Sequence, residues 1–381
     1  MEKQTLVNLP YQMSETNALT PYIKSLFLQP PNFTPDDFAS VLRHIFMGTS
    51  SDVQTSAFLT ALRMRGLDHQ PEFIAAAVST ILEFSDVIPA SSLSPKGFID
   101  IVGTGGDGQN TFNVSTSAAI VAAGMGLNVC KHGGKASTSS SGSGDLLKSL
   151  GVDLSVVNKD TTPTIVSESN FCFLFAPSFH RGMAKVAPIR SQIGIPTIFN
   201  ILGPLLNPMP IRARILGVFS EELGDSYAKA AAELAKKSEV HEKTMVVYGE
   251  IGLDEISPLG RTKCWMIDRS GEITKTSISP ADFGLPEHSL IHVKSGTPEQ
   301  NAEILLHILR QDNSDYRVDA KYNIPLVDYI LMNAAALAVV ADLCETWAEG
   351  VDLARKAIAS GAAYQALDNF RLAVERTKQS V

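Results

Sequence analysis

The stretch IVGTGGDGQNTFNVST, residues 101–116, decides how the rest of the chain is read. A β-type run over residues 98–102 stops at four glycines within six residues, Gly103, Gly105, Gly106 and Gly108, and an apolar helical pattern follows over residues 117–125. Strand, glycine loop, helix is the predicted order. Glycine adopts positive φ freely and lets backbone N–H groups come close to a ligand. Asn113, Ser115 and Thr116 put polar groups at the helix start, where the dipole favours an anion. A plain βα turn of about 2–6 residues needs neither four glycines nor Asp107. The stretch therefore reads as an anion-binding loop.

Downstream, KHGGKASTSSSGSGD (residues 131–145) supplies a second set of such groups: Lys131 and Lys135 as cations, Gly133 and Gly134 for close approach, and hydroxyls at residues 137–141 and Ser143. On composition alone a solvated Ser/Gly loop fits equally well. Strand and helix patterns alternate around it: strands at 127–131, 171–175, 214–219, 244–248 and 264–267, and helices from Ser115, Asp145 and Thr162 and over 223–236. This alternation predicts an α/β class with a mostly parallel central sheet flanked by helices. Ligands then bind at the carboxyl ends of the strands, where GTGGDG, KHGGK and APSFH should meet.

Upstream lie four helical patterns. One starts at Thr20–Pro21; the next has Thr34 as N-cap, Pro35 at N1, Asp36 and Asp37 in the first turn and Phe38, Val41, Leu42 and Ile45 as its stripe; the others cover 51–65, ending at Gly66, and 71–84. They predict a small N-terminal helical domain over residues 1–95, with a flexible tail at 1–19 and a Pro/Ser-rich link at 89–96. Residues 96–381 form the α/β domain and are largely helical from Pro298 onward.

The net charge of −8, from 32 basic and 40 acidic residues, argues against a nucleic-acid binder. Cys130, Cys172, Cys264 and Cys344 are scattered, with no pair at metal-ligand spacing, and read as core thiols in a reducing compartment. The N-terminus lacks an apolar or arginine-rich targeting pattern, so a cytoplasmic location is expected. Residues 325–343 are apolar but contain Asp328 and Asn333, which suits a buried helix better than a membrane span. Asp254 and Glu255 are adjacent carboxylates in a Gly/Pro-flanked loop, a donor set that suits Mg²⁺ with substrate phosphates, or a plain solvated acidic pair.

The two glycine-rich motifs, followed in order by FLFAPSFH (173–180), VAPIR ending at Arg190, TIFNILGPLLNP (197–208) and LDEISP (253–258), resemble those of the anthranilate phosphoribosyltransferases. The resemblance implies that residues 187–208 return to the helical domain. It implies that Gly103, Gly106, Asp107, Thr111, Asn113, Ser115, Thr116, Lys131, Ser137, Ser139 and Ser143 contact 5-phosphoribosyl 1-diphosphate. Arg190 would bind the anthranilate carboxylate, with Gly103, His132, Gly134 and His180 lining the aromatic pocket. Asp254 and Glu255 would hold one Mg²⁺, and Glu255 with Ser115 a second. A homodimer through the N-terminal helices is also implied, with no membrane or nucleic-acid partner.

Three features depart from the common family pattern: Gly134 and Lys135 in place of asparagine and arginine, Pro196 in place of an arginine, and Arg181–Gly182 in place of proline and alanine. They alter the aromatic side of the site and leave the phosphoribosyl side intact. Direct attack of the amine on C1 of the ribose, with inversion, needs no protein nucleophile, and His132 is the candidate should a base take part. Domain closure would bring the two substrates together. A pyrimidine nucleoside phosphorylase is the nearest alternative, but it needs neither the Asp254–Glu255 pair nor the NTFNVST run. A non-catalytic nucleic-acid-binding relative would show a basic groove and lost metal ligands.

Overall fold

The computed structural model describes residues 17–93, 97–136, 139–310 and 320–380. Seven strands, β1 (Phe98–Gly103), β2 (Val129–Gly133), β3 (Phe171–Phe175), β4 (Ile211–Gly217), β5 (Lys243–Gly249), β6 (Thr262–Ile267) and β7 (Ile273–Ile278), form one sheet in the order β3-β2-β1-β4-β5-β6-β7. The first five in that order are parallel, and β6 and β7 continue antiparallel. The mostly parallel sheet expected from the alternating pattern is present. Strand order reverses at β1 and β4, and such a switch point leaves a crevice beyond the strands' carboxyl ends.

Four helices precede the sheet: α1 (Thr20–Phe27), α2 (Pro35–Met47), α3 (Asp52–Met64) and α4 (Pro71–Glu83). Thr34 and Asp37 close a capping box on α2, and Gly48 ends it at φ +77°. Phe33, Phe38, Phe58 and Phe73 meet as a ring cluster at their centre. The later helices are α5 (Val114–Gly124), α6 (Ser143–Ser149), α7 (Thr162–Glu168), α8 (Ala176–Phe179), α9 (Met183–Ile193), α10 (Glu221–Ala235), α11 (Pro298–Arg310), α12 (Ala320–Val340), α13 (Trp347–Ala359) and α14 (Ala362–Ser380).

Two apolar cores cover the two faces of the sheet. Val186 of α9 and residues Ile198, Phe199, Leu202 and Leu205 join the core of α1–α4, which continues through α10 to Leu216, Val246 and Trp265. On the other face α5 is buried all round and packs against α12, α13 and α14. Its alanines permit that approach, and a Cβ on Gly124 would lie 2.6 Å from the Ala363 backbone. Residues 325–343 are mostly the buried part of α12, and no helix of the described residues is long and apolar enough to cross a membrane.

Several boundaries differ from expectation. The predicted tail over 1–19 lies outside the described residues up to 16, but Asn17 pairs with Ser50 and Leu19 is buried, so residues 17–19 belong to the fold. The link at 89–96 is described only to residue 93. β2 runs to Gly133 because partners elsewhere in the fold satisfy the polar Lys131 and His132. α6 begins at Ser143, since the Asp145 carboxylate accepts from the N–H groups of Ala136 and Gly142. Residues 187–208 carry the end of α9, which tolerates Pro188, and then two short 3-10 helices, Ile198–Asn200 and Gly203–Leu205. β7 was not expected: ITKTSI is a largely exposed edge strand held by pairing with β6.

Candidate active site

The site is built where Gly103 ends β1 and Gly217 ends β4, paired in register. The 250–256 loop crosses both ends so closely that a Cβ on Gly103 would lie 2.2 Å from Asp254 Oδ2, and one on Gly217 would lie 1.6 Å from the Asp254 carbonyl oxygen. Only glycine fits at either position. Beyond Gly103, the loop turns through Gly105, Gly106 and Gly108 at φ +70°, +82° and +71°. Gly105 N–H donates to Asp254 Oδ2 (2.6 Å), and Gln109 Nε2 donates to the Ile251 carbonyl (3.0 Å), so glycine loop and carboxylate loop are one unit.

Thr111 pairs with Lys294, and Phe112 N–H donates to the Val293 carbonyl. The Asn113 side chain accepts from Asn301 Nδ2 and donates to the Ser141 carbonyl, both at 2.8 Å, which draws the serine-rich segment over the start of α5. Thr116 Oγ1 donates to Ser143 Oγ (2.9 Å), and Ser139 donates to the Ser141 carbonyl (3.2 Å). The starts of α5 and α6 therefore stand side by side, with unspent backbone N–H groups available to an anion. Ser137 lies outside the described residues.

Asp254 is buried and Glu255 half-buried. Burial, reinforced by the neighbouring Asp107 carboxylate, pushes Asp254 up to about 7. Burial and Asp254 push Glu255 well above the usual carboxylate range, while Lys131 and the nearby Ser115 hydroxyl oppose that rise. Lys131 is no outward-reaching loop cation: its buried ammonium donates to the Ile101 carbonyl and lies among Asp100, Glu255 and Asp254. Asn207 Nδ2 donates to Asp100 Oδ2 and to the Cys130 carbonyl, both at 2.8 Å, and so holds this counter-charge in place.

Asp107, Asp254 and Glu255 crowd three carboxylates together, with Asp100 a fourth beside Lys131; burial and mutual repulsion push Asp254 and Glu255 toward the neutral form, and a divalent cation would hold them ionised. Among the described residues no three His, Cys, Asp or Glu side chains close a protein-only metal cage. A hard cation that completes its shell with phosphate oxygens and water fits this donor set.

A second polar group links β2 to the helical domain. The Gly203 carbonyl can only accept, so His132 Nδ1–H donates to it (3.2 Å). Burial lowers the pKa of both histidines, His180 to about 4, so each ring is neutral and carries one proton. His132 Nε2 must then accept from His180 Nε2–H (3.0 Å), while His180 Nδ1 lies 2.7 Å from the oxygen of the Ser85 hydroxyl, which also reaches the Ile81 carbonyl (2.6 Å). Both His132 nitrogens are engaged. The geometry thus argues against His132 as a base for an amine proton.

Neutral burial also fixes a pH dependence. The unfolded histidines bind protons below about 6.5 and the folded ones do not, so their stabilisation is complete above that pH and lost as pH falls toward 4. In urea titrations, His180→Asn should lose about 2 kcal/mol less than the wild type between pH 7 and 5. Equal losses would refute the neutral assignment.

Arg190 extends from α9 with its guanidinium 5.7 Å from the centre of the Phe199 ring. Burial lowers its pKa but leaves it charged, and among the described residues its Nε has no partner. Gly134 has open space where a side chain would stand. Gly217, Asp100, Asn207 and Asn301 were missed in the sequence. Gly217 had a faint signal, a glycine closing the apolar run ARILG, whereas the other three are ordinary polar residues until the strands are assembled.

The α/β domain model of the glycosyl transferase family matches residues 95–364, and its helical bundle domain matches residues 20–85. The anthranilate phosphoribosyltransferase of Schizosaccharomyces pombe is 46% identical over 340 residues, which cover 89% of this chain and 92% of that protein. The Saccharomyces cerevisiae anthranilate phosphoribosyltransferase in complex with PRPP and Mg aligns with a TM-score of 0.84 at 43% identity, covering 94% of this chain and 98% of that one. The same yeast enzyme in complex with 4-fluoroanthranilate gives a TM-score of 0.84 at 41% identity, over 96% and 100%. Both domains match in order and relatives of one activity span nearly the whole chain: this protein belongs to the anthranilate phosphoribosyltransferase family.

Proposed function

We propose that this chain transfers the phosphoribosyl group of 5-phosphoribosyl 1-diphosphate to the amine of anthranilate, giving N-(5-phosphoribosyl)anthranilate and pyrophosphate, a step of tryptophan biosynthesis. The observation that carries this reading is the fusion of a four-glycine loop with the adjacent Asp254 and Glu255 carboxylates at the sheet's switch point. Gly103, Gly106, Asp107, Thr111, Asn113, Ser115, Thr116, Ser137, Ser139 and Ser143 hold the phosphates and ribose, and Lys131 balances the carboxylates from beneath. Asp254 with Glu255, and Glu255 with Ser115, hold two Mg²⁺ ions. Bound magnesium neutralises the diphosphate and stabilises the charge that develops on it.

Arg190 binds the anthranilate carboxylate from α9, against Phe199 and beside the pocket formed by Gly103, His132, Gly134 and His180. The amine attacks C1 opposite the leaving group, so the product is inverted. Its proton then passes to water, in keeping with the engaged His132 nitrogens. Catalysis rests on positioning and on electrostatic stabilisation by the loop N–H groups. Arg190 belongs to the unit of residues 17–93 and 187–208 and the phosphate loops to the α/β unit, so closure about the intervening segments brings the amine to the sugar.

A homodimer fits the apolar groove between α1 and α3, where Phe27 and Met64 are 67% and 81% exposed. A cytoplasmic setting keeps Cys130, Cys172, Cys264 and Cys344 as free thiols.

The test follows anthranilate fluorescence with purified protein, 5-phosphoribosyl 1-diphosphate and Mg²⁺. Consumption should stop in EDTA, and pyrimidine nucleosides should not be phosphorolysed. Metal-independent nucleoside phosphorolysis would replace this reading with the phosphorylase.

A further inference from the structure

Tyr329 of α12 is fully buried, yet among the described residues its hydroxyl has no hydrogen-bond partner. The Thr111 hydroxyl approaches it without the geometry of a hydrogen bond, and the nearby charges are the carboxylates of Glu255, Asp254 and Asp107. A buried hydroxyl left unpaired is costly, and a phenylalanine of the same shape would avoid that cost. Packing therefore does not account for the oxygen.

The rest of α12 acts as a platform for the carboxylate loop. Asn333 Oδ1 accepts from Ile256 N–H and its Nδ2 donates to the Ile256 carbonyl, both at 3.3 Å. The same Nδ2 donates to the Tyr329 carbonyl at 3.0 Å. One residue before Tyr329, Asp328 Oδ2 bonds His288 Nε2 (2.8 Å), and the backbone N–H of His288 donates to the Pro258 carbonyl (2.7 Å). The Tyr329 ring thus stands on a rigid support beside Asp254 and Glu255, with one donor unspent.

We infer that Tyr329 is a positioning residue whose hydroxyl donates to the oxygen shell of the divalent ion held by Asp254 and Glu255. The inference rests on the metal-dependent reading proposed above. The hydroxyl gains its partner only when the ion arrives, so it stabilises the loaded site and not the empty one.

The test compares the wild type with Tyr329→Phe in two measurements: Mn²⁺ binding in the presence of pyrophosphate, followed by electron paramagnetic resonance, and thermal unfolding in EDTA. The variant should bind Mn²⁺ about three- to tenfold more weakly while melting in EDTA no lower than the wild type. In turnover, the Mg²⁺ half-saturation point should rise by the same factor, with kcat at saturating Mg²⁺ within about twofold of the wild type. Unchanged Mn²⁺ affinity overturns the inference. So does a lower melting point in EDTA, whatever the affinity, because the hydroxyl would then have a structural partner in the metal-free fold. A wild type that fails to bind Mn²⁺ with pyrophosphate overturns the functional reading as well; one that binds, matched by its variant, overturns this inference alone.

Discussion

Alanine at Asp254 should lower kcat/KM by about a thousandfold, roughly 4 kcal/mol of transition-state stabilisation. Asp254 has two tasks, and alanine ends both. Its carboxylate is half of the proposed metal pair, and its Oδ2 accepts from Gly105 N–H at 2.6 Å, the bond that ties the glycine loop to the carboxylate loop. Without it, the N–H groups that should face the diphosphate lose their anchor, and Glu255 is left with Lys131 as a ready internal ion partner. The fold itself should survive, because removing one of three crowded carboxylates relieves repulsion. Anthranilate fluorescence at saturating Mg²⁺ measures the loss, and a variant that retains a tenth of wild-type activity would refute the assigned role.

Almost as large an effect is expected from Gly217→Ala, a change that adds one methyl group and removes no functional atom. The new Cβ would stand 1.6 Å from the Asp254 carbonyl oxygen and 2.5 Å from its carbon, both backbone atoms that no rotamer change can move. β4 lies between β1 and β5 and cannot yield, so the 250–256 loop must lift by about 1.5–2 Å to restore van der Waals separation. Displacements of about 1 Å in a catalytic constellation cost on the order of a hundredfold in rate. Activity should therefore fall about 100- to 1000-fold, while overpacking costs only about 1–3 kcal/mol of stability. Gly105→Ala is the control. Its Cβ would meet nothing within 4 Å, and only the φ of +70° is strained. If both variants lose activity equally, steric displacement of Asp254 is not the cause.

Much of the molecule was legible because its signals are local. The caps of Thr34 and Ser51, Pro35 at a helix start and Gly66 just past a helix end each act within one turn, so the N-terminal helices could be placed from sequence alone. The glycine loop was legible for the same reason: strand, positive-φ glycines and helix start are consecutive, and their use for an anion follows from backbone chemistry. β7 was not legible, because its exposed ITKTSI becomes a strand only through the ladder of β6.

The site divides along the same line. The strand–helix alternation carried the α/β class and residues 101–116 the anion-loop reading, whereas residues 131–145 and 253–258 fitted solvated loops equally well until their order together resembled a known family. Only the assembled sheet decided that Gly217 must be glycine, that Lys131 points inward to the carboxylates, that both His132 nitrogens are engaged, and that the Tyr329 hydroxyl has no partner among the described residues beside the carboxylate loop. Local backbone preferences depend on neighbours within a few residues. These contacts join groups 30 to more than 100 positions apart, through strand register and through the burial that makes an unpaired charge or hydroxyl costly; neither exists until the chain has folded.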